Sequence, residues 1–182
     1  MKQRVERVLG GRRKRTISGE NLRASAVLMP IFYDQGQYHV LFAVRSDEVN
    51  HHKGQVCFPG GTQEPSDGTL LETALRETEE ELGLKRQDIE ILGELDDSIT
   101  ITSNYVISPF VALIRHPHTL RTSGREVKET FSVPLSFLMD EANVRPDHYA
   151  YEYEGHNIWG ATAHIVRQFI DILKSSESGA QL

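Results

Sequence analysis

The sequence predicts an α/β (α+β) fold in which a mixed sheet is covered by helices. Three observations carry that expectation. Segments rich in Val, Ile, Leu, Phe and Tyr alternate with stretches whose apolar residues recur at helical spacing. A length of 182 residues suffices for one domain with a sizeable core and not for two. Neither an internal repeat nor a low-complexity tract breaks the pattern.

Residues 1–19 form a basic arm, in which Lys2, Arg4, Arg7, Arg12, Arg13, Lys14 and Arg15 face only Glu6. Val5, Val8 and Leu9 give it one short amphipathic turn before Gly10-Gly11. Such an arm lies in solvent or packs on the domain; phosphate steering and organelle targeting are the competing uses. Transit peptides are serine-rich, and Ser18 is the arm's sole serine.

The domain spans 20–174. Ala24–Tyr33 and Tyr38–Val44 read as strands joined by a turn over Asp34-Gln35-Gly36-Gln37. Ile89–Leu95 and Tyr105–Ile114 follow as strands, and Pro109 marks the second as an edge or bulged strand. Thr130–Val133 leads to Pro134, which can open a short helix over Leu135–Met139. Tyr149–Tyr153 is a late strand. Ala161–Leu173 is the final amphipathic helix, through Ile165, Phe169 and Ile172. Trp159 is expected to anchor that helix in the core rather than to serve as an adenine platform. Residues 175–182 form a polar tail that frays.

The most informative segment is Arg76-Glu77-Thr78-Glu79-Glu80-Glu81-Leu82-Gly83-Leu84. On a helix turning about 100° per residue, Glu77, Glu80 and Glu81 share an arc of roughly 100°. Leu71, Leu75, Thr78 and Leu82 fall within roughly 60° of one another on a different side. Like charges at i, i+3 and i+4 oppose helix formation. A hard divalent cation, Mg²⁺ or Mn²⁺, prefers carboxylate oxygens and offsets that repulsion. Gly83 closes the helix as a C-cap. Ser66, Asp67 or Thr69 can open it, the last with Glu72 in a capping box. Glu79 projects away from the cluster.

These residues resemble the Nudix box, G-x5-E-x7-R-E-U-x-E-E-x-G-U with U aliphatic. From Arg76 to Leu84 every position agrees except Thr78, at the first aliphatic place. Upstream, Gly61 stands fifteen residues before Arg76 instead of fourteen, and Gly68 occupies the place of the box's first Glu. The loop is thus one residue longer, and Asp67 takes over from that Glu. A second resemblance covers Leu41-Phe42-Ala43-Val44-Arg45-Ser46 and Gly54-x-x-x-Phe58-Pro59-Gly60-Gly61. It is similar to the additional motif of the coenzyme A pyrophosphatases, L-L-T-x-R-S-x3-R-x3-G-x3-F-P-G-G. Arg45, Ser46, Gly54, Phe58, Pro59, Gly60 and Gly61 match. Ala43 stands in place of Thr, and Asn50 in place of the second Arg, with His51, His52 and Lys53 nearby to supply charge.

The resemblance implies a Nudix-like α/β/α sandwich with a mixed central sheet, and a metal-dependent pyrophosphate hydrolase. Glu80 and Glu81 are the first-choice metal ligands, Glu77 is a further ligand or the base, and the Gly61 carbonyl is an extra ligand. Arg76 orients Glu77 or ties the helix to the loop rather than touching substrate. Glu126 is the expected acidic group from a distant loop, with Asp96-Asp97 as the alternative. Arg45, Ser46, Gly54, Phe58, Pro59 and Gly60 are the expected substrate-binding residues. The expected reaction cleaves coenzyme A or acyl-coenzyme A to adenosine 3′,5′-bisphosphate and (acyl-)4′-phosphopantetheine. ADP-ribose, a dinucleotide or a nucleoside triphosphate is the alternative substrate. A decayed nucleotide-sensing module is the alternative of another class, opposed by retention of Arg76, Glu77, Glu80 and Glu81.

Composition narrows the partners. A formal net charge of −6 opposes general nucleic-acid binding, which rests on phosphate neutralisation. Cys57 is the single cysteine, so no intramolecular disulfide forms, and a buried thiol beside Phe58 in a reducing compartment is expected. No apolar stretch approaches about 18 residues, the length needed to span a membrane. The expected protein is cytoplasmic and acts on a small nucleoside-diphosphate-linked molecule; the sequence admits a homodimer.

Overall fold

In the computed structural model, residues 1–48, 53–100, 104–122, 124–145 and 150–178 are described. The chain opens with α1 (Lys2–Gly10), β1 (Arg23–Asp34), β2 (Gln37–Arg45), β3 (Val56–Cys57), β4 (Gly60–Thr62) and α2 (Leu70–Leu82). It continues with β5 (Ile89–Glu94), β6 (Ser98–Ile99), β7 (Tyr105–Ile114), β8 (Val127–Pro134) and α3 (Leu135–Met139). Last come β9 (Val144–Arg145), β10 (Ala150–Tyr153), β11 (His156–Ile158) and α4 (Gly160–Ser178). Asn50, His51, His52 and Tyr149 lie outside the described residues.

The central sheet is mixed. β1 runs parallel to β7 from Arg23↔Tyr105 to Ile31↔Leu113, whereas β2, β5, β6 and β8 pair antiparallel with their neighbours. Strands β1 and β2 stay paired only from Ile31↔Val40 to Asp34↔Gln37. Beyond that point β3 pairs with β2 at Ala43↔Cys57, and β4 pairs with β1 at Ala26↔Gly61. The β3–β4 segment therefore wedges into the gap between the diverging strands.

Both faces of the sheet are buried, as alternation along its strands requires. Ala26, Leu28, Phe110 and Ala112 pack against Ala74 of α2. On the opposite face, Met29, Ile31, Val40, Phe42 and Val111 share a cluster with Val5 and Leu9 of α1, Leu135 and Leu138 of α3, and Ile165 and Phe169 of α4. The small sheet β9–β11 adds Tyr151 and Ile158 to that layer. The result is an open α/β/α sandwich. None of its described helices is long and apolar enough to cross a membrane.

The arm packs on the domain. Val5 and Leu9 are buried, and Gly93 leaves room for Leu9: a Cβ there would lie 2.5 Å from the Leu9 Cβ. Arg12 and Arg15 both bind the Asp96 carboxylate, and Lys14 Nζ lies 2.9 Å from Asp97 Oδ1. The Asp97 N–H donates to the Arg15 carbonyl at 3.0 Å.

Three expectations are corrected. Of the two readings of Pro109 the edge is the one corrected: β7 is internal, and Pro109 falls where its outer ladder slips by one residue between Glu94↔Phe110 and Ser98↔Ile107, a bulge-like irregularity at which its missing N–H interrupts no pair. Trp159 is 47% exposed, because Ile158 takes the buried position and the next residue turns outward. Helix α4 continues past Leu173 to Ser178, into the segment expected to fray.

Candidate active site

Helix α2 forms where its signals agree. The Thr69 hydroxyl accepts from the Glu72 N–H at 3.2 Å while the Glu72 carboxylate accepts from the Thr69 N–H at 2.9 Å. This capping box settles the helix start. At the other end Gly83 adopts the left-handed conformation (φ 70°), its N–H donating to the Glu79 carbonyl at 2.9 Å. Ala74, Leu75, Thr78 and Leu82 bury one stripe, which turns Glu77 and Glu81 toward the β3–β4 wedge.

There, Glu77, Glu81 and Glu126 bring carboxylate oxygens within 4.8 Å of one another. Glu81 is buried at 3% exposure, Glu77 is half-buried and Glu126 is exposed. Glu126 reaches the cluster from the residue before β8, where its carbonyl accepts the Ser46 N–H at 2.8 Å. The Gly60 N–H donates to Glu81 Oε2 at 3.1 Å. A Cβ on Gly60 would strike the Ala26 carbonyl, and one on Gly61 would strike the Glu77 carboxylate. Glycine is thus required at both places for the backbone to lie this close to β1 and α2. Glu80 is 59% exposed and stands outside the three.

The electrostatics are set first by burial and then by like charge. Burial, reinforced by Glu77 and Glu126, pushes the Glu81 carboxyl up to about 8 against the opposing Gly60 N–H and Arg45. Burial also raises Glu77, with Glu80 and Glu126 adding to it and Arg76 opposing. Carboxylate oxygens held together at this cost match the donor set that hard divalent cations prefer. Glu77, Glu81 and Glu126 could hold such a cation, which when bound neutralises pyrophosphate oxygens and makes bound water more acidic.

Arg76 lies behind the cluster. Its Nη1 donates to Glu77 Oε1 at 2.9 Å and to Glu80 Oε2 at 3.2 Å, and its Nη2 to the Thr62 carbonyl at 3.3 Å. Asp67 holds the remaining edge of the guanidinium and also accepts from the Thr73 hydroxyl at 3.0 Å and the Glu64 N–H at 3.0 Å. Those contacts, Arg76 first, keep the Asp67 carboxyl well below the usual range. Thr73 was not legible as part of the site; its sole sequence signal is a hydroxyl one helical turn before Glu77, on the acidic face of α2.

The second motif divides by role in the structure. Arg45 lies beside Glu81 and Cys57, and its buried Nε has no hydrogen-bond partner among the described residues. Gly54 (φ 67°) closes a turn by donating its N–H to the Arg45 carbonyl at 3.1 Å. Ser46 is buried, with its Oγ accepting from the Glu48 N–H. Phe58 stacks on Phe42 in the core at 5.1 Å, and the Pro59 carbonyl accepts the Leu28 N–H at 2.9 Å. Arg45 and Gly60 therefore reach the glutamates, while Ser46, Gly54, Phe58 and Pro59 shape the loop. Burial, then Glu81, pushes the half-buried Cys57 thiol up to about 12. Asp96 and Asp97 are engaged by the arm and stand apart from the three glutamates.

A glutamate-bearing helix face set against a glycine backbone wedge, within an α/β/α sandwich, is the make-up of a Nudix protein. The chain belongs to the Nudix family: the NUDIX domain matches residues 22–153. It is a Nudix hydrolase acting on pyrophosphate bonds. Among its relatives, the "Uncharacterized Nudix hydrolase NudL" of Photorhabdus laumondii is 36% identical over 159 residues, covering 82% of this chain and 84% of the relative. The mouse "Peroxisomal coenzyme A diphosphatase NUDT7" is 35% identical over 114 residues, 63% of this chain and 48% of that protein. Solved structures share the fold. A MutT/nudix family protein from Enterococcus faecalis superposes with a TM-score of 0.63 at 17% identity, over 87% of this chain and 64% of that one. The NUDIX domain of Shewanella oneidensis NrtR, complexed with ADP ribose, gives 0.59 at 18% identity, over 87% and 90%.

Proposed function

We propose that this enzyme cleaves coenzyme A or acyl-coenzyme A at the pyrophosphate, releasing adenosine 3′,5′-bisphosphate and (acyl-)4′-phosphopantetheine. One observation carries the reading: two residues of the coenzyme A-like motif reach the glutamates, Arg45 lying beside Glu81 and the Gly60 N–H bonded to it. The partial similarity to the mouse coenzyme A diphosphatase agrees with it.

In this reading Mg²⁺ or Mn²⁺ sits among Glu77, Glu81 and Glu126, with the Gly61 carbonyl and Glu80 as further donors. The carboxylate of Glu77 or Glu81 that faces the attacking water accepts its proton. Arg76 is a positioning residue, fixing Glu77. Arg45 pairs with a substrate phosphate, and the Ser46, Gly54, Phe58, Pro59 and Gly60 backbone shapes the loop beneath it. Product analysis with Mg²⁺ or Mn²⁺ tests the assignment, offering coenzyme A, acetyl-coenzyme A, ADP-ribose and NADH in parallel. Adenosine 3′,5′-bisphosphate as the dominant product supports it. Turnover of ADP-ribose or NADH with coenzyme A untouched discards it and keeps the hydrolase chemistry.

A further inference from the structure

We propose that Arg125 and Lys128, which flank Glu126, form a subsite for a phosphate that takes no part in the reaction: the 3′-phosphate of a coenzyme A-type substrate. The inference rests on the reading above. The acidic cluster deals with the scissile pyrophosphate, whereas a coenzyme A-type molecule carries one more phosphomonoester, with a charge of roughly −1.5 to −2 near neutral pH. A fixed cation must meet that charge, and the motif position expected to supply an arginine holds Asn50.

The stretch 121–128 carries Arg121, Arg125 and Lys128 beside Glu126. Arg121 has a structural reason. Its backbone N–H donates to the Leu82 carbonyl at 2.9 Å and its Cβ lies 3.1 Å from where a Cβ on Gly83 would stand, which puts its side chain at the C-terminal end of α2, where a cation complements the helix dipole. The other two have none. Arg125 is exposed and forms no ion pair among the described residues. Lys128 Nζ is 3.7 Å from Asp47 Oδ2, with the two side chains 58% and 72% exposed. Pairs that long and that exposed contribute little to stability.

Backbone geometry holds Lys128 to the site. The β2–β8 register passes from Val44↔Glu129 to Arg45↔Val127, leaving Lys128 as the extra residue of a bulge. Bulges re-aim a side chain and are frequent beside active sites. The same bulge sets Val127 against Arg45, while Ser46 bonds the Glu126 carbonyl. The phosphate-pairing candidate Arg45, the cluster residue Glu126 and Lys128 are thus fixed by one short ladder, and Arg125 sits in the bend that leads into it. Arginine and lysine are the side chains that take phosphate, the first bidentately.

The test compares kcat/KM for coenzyme A and for dephospho-coenzyme A, which lacks only the 3′-phosphate, in wild type, Arg125→Ala, Lys128→Ala and Lys128→Arg. Wild type should favour coenzyme A, and each alanine variant should lower that preference about tenfold, as loss of one hydrogen bond to a charged group does. The preference should also shrink as salt rises, and Lys128→Arg should keep it. A preference unmoved in both alanine variants overturns the subsite. Equal turnover of both substrates by wild type overturns it too and leaves the coenzyme A reading standing. Wild type that leaves both untouched removes that reading, and the subsite with it.

Discussion

Arg76 grips Asp67, nine residues earlier, along a whole edge of its guanidinium: Nε to Oδ1 at 3.0 Å and Nη2 to Oδ2 at 2.9 Å. The opposite corner of the same group holds Glu77 and Glu80. One planar cation therefore transmits the position of the 62–68 loop to the acidic face of α2. A lysine could not replace it, because the contact depends on a rigid fork of donors.

Replacing Asp67 by Asn keeps its shape and removes the charge that orients the fork. The side chain is only 5% exposed, so solvent cannot substitute for it. Turnover and metal affinity should fall by about 10–100-fold, as when outer partners of metal ligands are lost. Steady-state kinetics with a Mg²⁺ titration checks this; unchanged values would mean that Arg76 holds Glu77 unaided.

Glu81 makes metal-free stability depend on pH in an unusual direction. Its folded pKa, about 8, lies above the unfolded value of about 4.3. Between those values the folded chain keeps a proton that the unfolded chain has lost, so stability falls as pH rises. Thermal melts should show that slope between pH 5 and 8, shallower in Glu81→Gln. The stabilisation given by added Mg²⁺ should grow over the same range, since the cation needs the deprotonated carboxylates. A flat metal-free profile in wild type would contradict the burial of an ionisable group here.

Gly61→Ala places a methyl group on the Glu77 carboxylate. A displacement of about 1 Å at a reacting centre costs on the order of 10²-fold in rate, and turnover should drop by that much while circular dichroism stays native. Activity within a fewfold of wild type would show that Glu77 can move aside without consequence.

The arm should behave as part of the domain. Leu9→Ala empties a buried site against Gly93 and should cost about 2–5 kcal/mol. Asp96 adds an acid-sensitive share: burial works to raise its pKa, but the Arg15 N–H, the Arg15 side chain and Arg12 outweigh it and hold it low. That contribution is present above the unfolded value of about 3.9 and lost as pH falls through the lower folded value. Denaturant titrations of wild type and Asp96→Asn should converge at acidic pH; a constant gap would assign the effect to packing.

Much of this was legible beforehand because it is local. The α2 stripe, its Gly83 cap, the β1–β2 turn and the helix after Pro134 each follow from residues a few positions apart. Glu126 stood beforehand only as a candidate, with Asp96-Asp97 as the alternative, and the structure groups it with Glu77 and Glu81. The β3–β4 wedge was not legible, since strands of two and three residues carry no periodicity and owe their pairing to the divergence of β1 from β2. Trp159 misled for a related reason: its neighbour Ile158 took the inward place, and a single position decides which of two adjacent residues is buried.

The arm also makes the hydrogen bond most distant in sequence among the described residues. Arg4 reaches the Leu173 carbonyl across 169 positions at 2.7 Å, and Arg12 and Arg15 reach Asp96 across 84 and 81. Such closures gain nothing until the intervening chain is in place. The clasp formed by α1, β5 and α4 joins the first and last helices through contacts that stand apart from the glutamate helix and its wedge. Loosening it should lower resistance to unfolding before it lowers turnover, and the basic residues at the start of the sequence set how firmly it closes.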